Sequence, residues 1–539
     1  MGLRHVTLGD IFRRNAQLFP DRTAIVCGFE RISHRDYLKR AERLAAGLAA
    51  QGVKPGDRIA VAARNCLEFA DLYGATALIG AIMLPVNWRL NADEIAYVLA
   101  DGVPTLVIVG PEDQPTIAGM QEKLPASAKY FGIGTAPPPF RPFTELTGAG
   151  ASPPAVEVDP DQGYVIIHTA AVDGRPRGAL ISQTGLLAAS MRLVSAWQLD
   201  ERDVTFVAVP LFHVTGLGQM LTAQLSGGSS VIMAKFDPAE CARTIEAEKA
   251  TAFAEFAPML MNLPDKAAET GTSLSSLRAV LGLDTAETIG RFEKACPDAR
   301  FWAVYGQSET SGLVTLSRWR ERPDSAGRPT PLSVIVVVDE LDQPVATGQV
   351  GEIVVRGPMV FCGYWRREED NKVTFRNGWH HTGDMGRGLS VLRRPFARQG
   401  ADQAGRRERL SGRGREGDPR TRGDRRGVGD WRARSAMGRS RQGGVRVPVG
   451  KIGPGVRLGR VRCIETCALQ EAQARGVRRR AAQDRGRCDR PRGRQTSTRR
   501  DVGKSLGTLT RRFAPTFPRV PSCNAVASAR SERRKARTL

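Results

Sequence analysis

Phe301-Trp302-Ala303-Val304-Tyr305-Gly306-Gln307-Ser308-Glu309-Thr310 is the stretch whose reading decides the fold: an apolar run ends on an aromatic, a glycine, short polar side chains and one carboxylate. The small-residue stretch Ser311-Gly312-Leu313 follows. Groups of these types leaving one strand together can stack a base, approach phosphate closely and hold a divalent cation.

Working outward, the apolar runs Arg58–Ala62, Thr105–Val109, Thr205–Val209 and Ser230–Met233 alternate with helical patterns such as Asp36–Gln51 and Pro238–Lys249. That alternation predicts α/β layers with largely parallel sheets. Ser333–Val338 and Gly351–Arg356, split by a turn through Asp342-Gln343-Pro344, predict antiparallel strands of a smaller β unit. No internal repeat is visible. The apolar stretch Leu72–Val86 follows Glu68 and Asp71 and contains two glycines. At about fifteen residues it is too short to span a bilayer and reads as a buried helix.

Arg4, His5, Asp10 and Arg13 come early and leave no secretory apolar region, so a cytoplasmic location is expected. Nine cysteines in 539 residues form no disulfide framework. Cys27, Cys66, Cys241, Cys296 and Cys362 read as small core or near-surface residues, and Cys463 and Cys467 lack the further ligands of a structural zinc site. His380 and His381 point to opposite faces if they lie on a strand, which argues against a metal pair.

The net charge of +23 is unevenly distributed: residues 1–387 carry 38 basic against 44 acidic side chains, and residues 388–539 carry 41 against 12. Nearly all the basic residues of the second segment are Arg. Text rich in Arg, Gly and Ala without apolar periodicity buries too little surface to offset chain entropy, so 388–539 reads as a mostly disordered tail. Three origins compete for it: a basic arm binding RNA through its phosphates, a solvated tail with no partner, and a reading-frame slip in a GC-rich gene. The slip is favoured. Phe396, Trp431, Phe513 and Phe517 are too scattered for a base-stacking module, so no specific nucleic acid is expected.

The order Tyr305-Gly306-Gln307-Ser308-Glu309-Thr310 resembles the adenylate-forming superfamily of acyl-CoA synthetases, luciferases and peptide-synthetase adenylation domains. Further blocks agree, in the family's order. Asn15–Ala24 and Asn87-Trp88-Arg89-Leu90 fit near the start. Val209–Gly218 looks like the substrate-side segment, Gly351–Pro358 and Gly363-Tyr364-Trp365 like the small β subdomain, and Gly378–Asp384 like the ribose-binding strand. The likeness covers about residues 5 to 387. It implies an adenylating domain, 1–387, of two α/β subdomains plus a small β subdomain.

The resemblance implies ATP-dependent activation of a carboxylic acid, fatty or aryl, to an acyl-adenylate and then to acyl-CoA, with ATP, Mg2+ and coenzyme A taking part. A rival reading passes the acyl group to a carrier protein, and one of another class is the RNA-binding arm. A homo-oligomer is left open. A carboxylate is already ionised at neutral pH, so attack on the α-phosphorus needs positioning and charge cancellation rather than a base. Glu309 is then the Mg2+ ligand, Tyr305 the adenine-stacking ring, Ser308 the α-phosphate donor and Asp384 the ribose acceptor, with Gly306 and Gln307 between them. His213 lines the acyl tunnel or bonds a carboxylate oxygen.

Two segments depart from the family's pattern. In the phosphate loop His168–Gly178, Thr169, Gly174, Pro176 and Gly178 match and Arg177 replaces a lysine, but hydroxyls are lost at Ala170, Val172 and Asp173. At Leu281–Ala286, Asp284 and Thr285 stand where small residues usually meet adenine; they either bond the adenine amine or end the strand. Nothing after Arg387 reproduces the expected hinge and lysine-bearing mobile domain; Val449-Gly450-Lys451-Ile452-Gly453 is a short echo only. Strongly reduced adenylation and little thioester formation are expected, with nucleotide binding persisting.

Overall fold

The computed structural model describes residues 5–148, 152–169, 176–323 and 325–388, and the backbone of a short strand, Trp431–Ala433. Gly174 and its neighbours in the phosphate loop, the rest of the Arg-rich segment, Lys451, Cys463 and Cys467 lie outside the described residues.

Three sheets carry the fold. The first has nine strands in the order Arg328–Pro329, Thr315–Arg318, Arg300–Tyr305, Ala279–Gly282, Ala252–Ala254, Val204–Val207, Ser229–Ile232, Thr23–Cys27 and Glu30–Ser33. Its centre, from Arg300–Tyr305 to Thr23–Cys27, is parallel throughout, and only its margins are antiparallel. The second has eight strands: Gly363–Tyr364, Arg177–Ser182, Gly163–Thr169, Ile82–Pro85, Arg58–Ala62, Leu106–Val109, Lys129–Gly132 and Arg141–Pro142. In the third, Val334–Val338 pairs antiparallel with Val350–Arg356, which pairs with His380–Gly388, and Trp431–Ala433 adds to the edge.

Side-chain alternation explains the layering. Ile59 and Val61 face a core shared by both large sheets, whereas Ala60 and Ala62 face a second core on the opposite side. In the nine-stranded sheet Val207 joins the shared core, and Phe206 joins a third. Helices His34–Ala50, Leu67–Ile79 and Val214–Ser226 fill the shared layer, and Pro238–Glu248, Met259–Thr270 and Ala286–Ala295 cover the far face. Strands buried on both faces read as unbroken apolar runs, as parallel sheets require. The α/β layers and the separate β unit match the sequence reading.

Two expectations are corrected. Leu72–Val86 is not one helix: Leu67–Ile79 ends at Gly80, whose left-handed φ of 67° turns the chain into strand Ile82–Pro85. Gly363-Tyr364 does not belong to the small β unit but pairs antiparallel with Leu180 and Ala179 at the edge of the eight-stranded sheet. Its two residues have too little pattern to declare a partner, and the pairing is decided across more than 180 residues of chain. No helix among the described residues is long and apolar enough to cross a membrane.

Candidate active site

Arg300–Tyr305 is the last strand of the parallel series, and the chain leaves it through Gly306 and Gln307 into a single 3-10 turn, Ser308–Thr310. Thr310 Oγ1 accepts the Gln307 N–H at 2.9 Å and holds that turn shut. The chain doubles back at Gly312, φ 103°, so that Val314 N donates to Tyr305 O at 2.8 Å. The return brings backbone onto Gly306, where a Cβ would lie 2.3 Å from Gly312 O and 2.5 Å from Leu313 Cα. Only glycine fits.

Asp384 arrives from the small sheet. Its Oδ2 accepts from Tyr305 Oη at 2.9 Å and from Gln307 Nε2 at 2.7 Å, and the same amide also donates to Thr382 O at 2.9 Å. Burial pushes the Asp384 carboxyl up, against the pull of these two donors. The Tyr305 hydroxyl is likewise pushed up, by burial and then by Asp384, which keeps it a proton donor. A network behind Asp384, absent from the sequence reading, sets its strand: Gly383 N donates to Glu352 Oε1 at 3.0 Å, and Arg376 bonds Asp342 at 3.1 Å and Glu352 at 3.0 Å. Asp342, Glu352 and His381 cluster closely enough to hold a metal. Arg376 already supplies the cation there. His380 turns away from them onto Thr374 and Phe361, as the strand geometry predicts.

Glu309 is buried in the 3-10 turn. Tyr364 Oη donates to its Oε1 at 2.7 Å, and Arg177 Nη2 donates to Tyr364 Oη at 3.2 Å with its guanidinium 4.1 Å from the ring centroid. Burial raises the Glu309 pKa; the Tyr364 bond and the Arg177 charge oppose it without cancelling it. A buried carboxylate short of positive charge, bearing only oxygen donors, suits a hard divalent cation. Tyr364 was not among the sequence candidates, because its route to Glu309 depends on the edge pairing described above.

The ends of the phosphate-loop hairpin are described. Thr169 pairs with Arg177, its Oγ1 donating to Arg177 O at 3.4 Å. Gly178 is a packing position: a Cβ there would meet Ile166 Cγ2 at 2.6 Å, and its carbonyl accepts Trp365 N–H at 2.7 Å. Ser308 is fully buried beside Glu309 in the turn.

His213 is the N-cap of Val214–Ser226, with Nδ1 accepting from Thr215 N at 3.2 Å. Burial and then the Arg89 charge lower its pKa to about 4, so it is a neutral imidazole at pH 7. Thr285 caps helix Ala286–Ala295, its Oγ1 accepting from Thr288 N at 3.2 Å, and Asp284 Oδ1 accepts from Thr285 N at 2.7 Å. The strand-ending role of these two residues is therefore present. Asp284 Oδ2 is buried with no partner among the described residues.

The AMP-binding enzyme family matches residues 12–365. Feruloyl-CoA synthase of Amycolatopsis sp is 30% identical over 390 residues, covering 71% of this chain and 76% of that protein. Indoleacetate–CoA ligase of Aromatoleum aromaticum is 30% identical over 389 residues, 70% of this chain and 76% of that protein. A crystal structure described as a long-chain-fatty-acid CoA ligase, from Rhodopseudomonas palustris CGA009, is similar at TM-score 0.69 and 57% identity, covering 72% of this chain and 97% of that one.

Proposed function

Because the chain belongs to the AMP-binding enzyme family, we propose that it activates a carboxylic acid with ATP and transfers the acyl group to coenzyme A, both steps at the reduced rate expected from the sequence that follows Arg387. The observation that carries this reading is the convergence of Tyr305, Gln307 and Asp384 by hydrogen bonds, with Glu309 in the adjoining turn.

Tyr305 offers its ring to adenine, and Asp384 accepts from the ribose hydroxyls. Ser308 donates to the α-phosphate, and Thr169, Arg177 and Gly178, at the described ends of the loop, border the phosphates. Glu309 would hold a magnesium ion, which when bound would cancel phosphate charge. Arg177, reaching Glu309 through the Tyr364 hydroxyl, opposes the upward push of burial on that carboxyl. The acid lies on the His213 side. Its carboxylate oxygen attacks the α-phosphorus, the bond to the bridging oxygen breaks, and pyrophosphate leaves. In the second step the coenzyme A sulfur attacks the acyl carbon, AMP departs, and the thiol proton goes to solvent.

Acid-dependent exchange of labelled pyrophosphate into ATP tests the first step, with aryl, indolyl and alkyl acids as the panel. Exchange that rises with one class of acid, and falls at least about 100-fold in Glu309→Gln, is expected. Exchange indifferent to every acid would sink the reading.

A further inference from the structure

Arg192 lies on helix Gln183–Trp197 and is only 3% exposed. Its Nη1 donates to Leu313 O, while Nε and Nη2 are buried with no partner among the described residues. Burial draws the guanidinium down to about 10 with no carboxylate contributing, so it stays charged at neutral pH. An unpaired buried charge is costly, and an apolar side chain of similar volume would avoid that cost.

The two free nitrogens share one edge of the guanidinium. Elsewhere in the molecule Arg40 presents that same edge to a carboxylate: its Nε lies 3.1 Å from each oxygen of Asp71, and its Nη2 donates to Oδ2 at 2.6 Å. Such a fork matches a carboxylate in shape as well as in charge. Arg192 carries the fork without a carboxylate among the described residues to meet it.

Its position ties it to the candidate active site. The helix runs along the return loop: a Cβ on Gly185 would lie 2.7 Å from Ser311 Oγ, and two turns later Arg192 reaches Leu313. Leu313 Cα in turn crowds Gly306, the neighbour of Tyr305. A Cβ on Gly312 would meet Val214 Cγ2 at 3.6 Å, and Val214 follows His213, on the side assigned to the acid. Leu313 packs in a layer to which the strands contribute the short side chains Ala252, Ala254 and Ala279, whereas Phe206 and Phe253 fill the opposite face.

We propose that Arg192 is a specificity-determining residue whose Nε–Nη2 edge binds a second carboxylate at the far end of the acid substrate. The inference rests on the acid-activating reading above and narrows its substrate class to dicarboxylic acids. A carboxylate supplies both the acceptors and the negative charge that Arg192 lacks. An ester or amide carbonyl supplies an acceptor without the charge, and a hydrocarbon tail supplies neither.

Equilibrium dialysis of the full chain tests this with adipate against hexanoate, suberate against octanoate, and terephthalate against 4-methylbenzoate. The dicarboxylate of at least one pair should bind at least about 10-fold more tightly, as hydrogen bonds to a charged group imply. Arg192→Met should lose that preference and gain affinity for the monocarboxylate, with a thermal midpoint no lower than the parent's. Arg192→Lys keeps the charge without the fork and should retain part of the preference. Equal binding within every pair, or a preference undiminished in Arg192→Met, overturns the proposal. So does an equal loss of affinity for both members of a pair with a lowered midpoint, the result of a purely structural bond to Leu313. Binding is read without turnover, so a failure here is distinct from the absence of pyrophosphate exchange that would sink the reading of function.

Discussion

Tyr364 Oη donates to Glu309 Oε1 at 2.7 Å across 55 residues of chain, and Arg177 lies against the same tyrosine, 4.1 Å from its ring. A cation, a phenol and a buried carboxylate thus form one line, joined by an edge strand of two residues.

Tyr364→Phe removes the hydroxyl and keeps the ring beneath Arg177. Outer-shell partners of this kind contribute about 10–100-fold in metal affinity or activity. Acid-dependent pyrophosphate exchange should fall by that factor, and the magnesium concentration needed for half-maximal rate should rise. Without the donor, ionised Glu309 is less favoured, so its pKa rises further and the acid limb of the pH–rate profile moves to higher pH. A magnesium requirement and profile identical to the parent's would refute this role.

Asp384→Asn keeps the shape of the side chain and removes the charge that both Tyr305 Oη and Gln307 Nε2 approach. A hydrogen bond to a charged group contributes about 1.5–3 kcal/mol, so ATP affinity by calorimetry should weaken roughly 10- to 100-fold. Binding of the free acid should be untouched.

Gly306→Ala places a methyl 2.3 Å from Gly312 O, against backbone that has no rotamer to change. The turn must open, at a cost of about 1–3 kcal/mol by analogy with overpacking. A lowered thermal midpoint together with weakened ATP binding is expected, and an unchanged midpoint would show that the return loop yields freely.

Burial pushes His380 down from 6.5 to about 3, with His381 adding to the shift. The unfolded chain therefore takes up this proton more readily than the folded one. The contribution to stability is complete above pH 6.5 and is lost as pH falls from there towards about 3. Each such histidine imposes a slope of about 1.4 kcal/mol per pH unit within its window. Urea midpoints measured on descending pH should drop more steeply in the parent than in His380→Gln.

Legibility in the sequence follows the range of the forces involved. Arg58–Ala62 was readable because alternate residues meet two apolar layers. Tyr305, Gln307 and Asp384 were singled out through local motifs, although their hydrogen bonds span 79 and 77 residues of chain. Leu72–Val86 misled, because an unbroken apolar run has no period to distinguish helix from strand, and only the backbone of Gly80 divides them. Tyr364 was hidden by its distant pairing.

The hydrogen-bonded cluster of the proposed nucleotide site is completed by Asp384 reaching back to Tyr305 and Gln307 from the third sheet. On the ribosome, a nascent polypeptide that has not yet released Asp384 from the exit tunnel already carries Glu309 but lacks the acceptor that Tyr305 and Gln307 require. On the proposed reading, ATP capture would wait until most of the layered body has emerged.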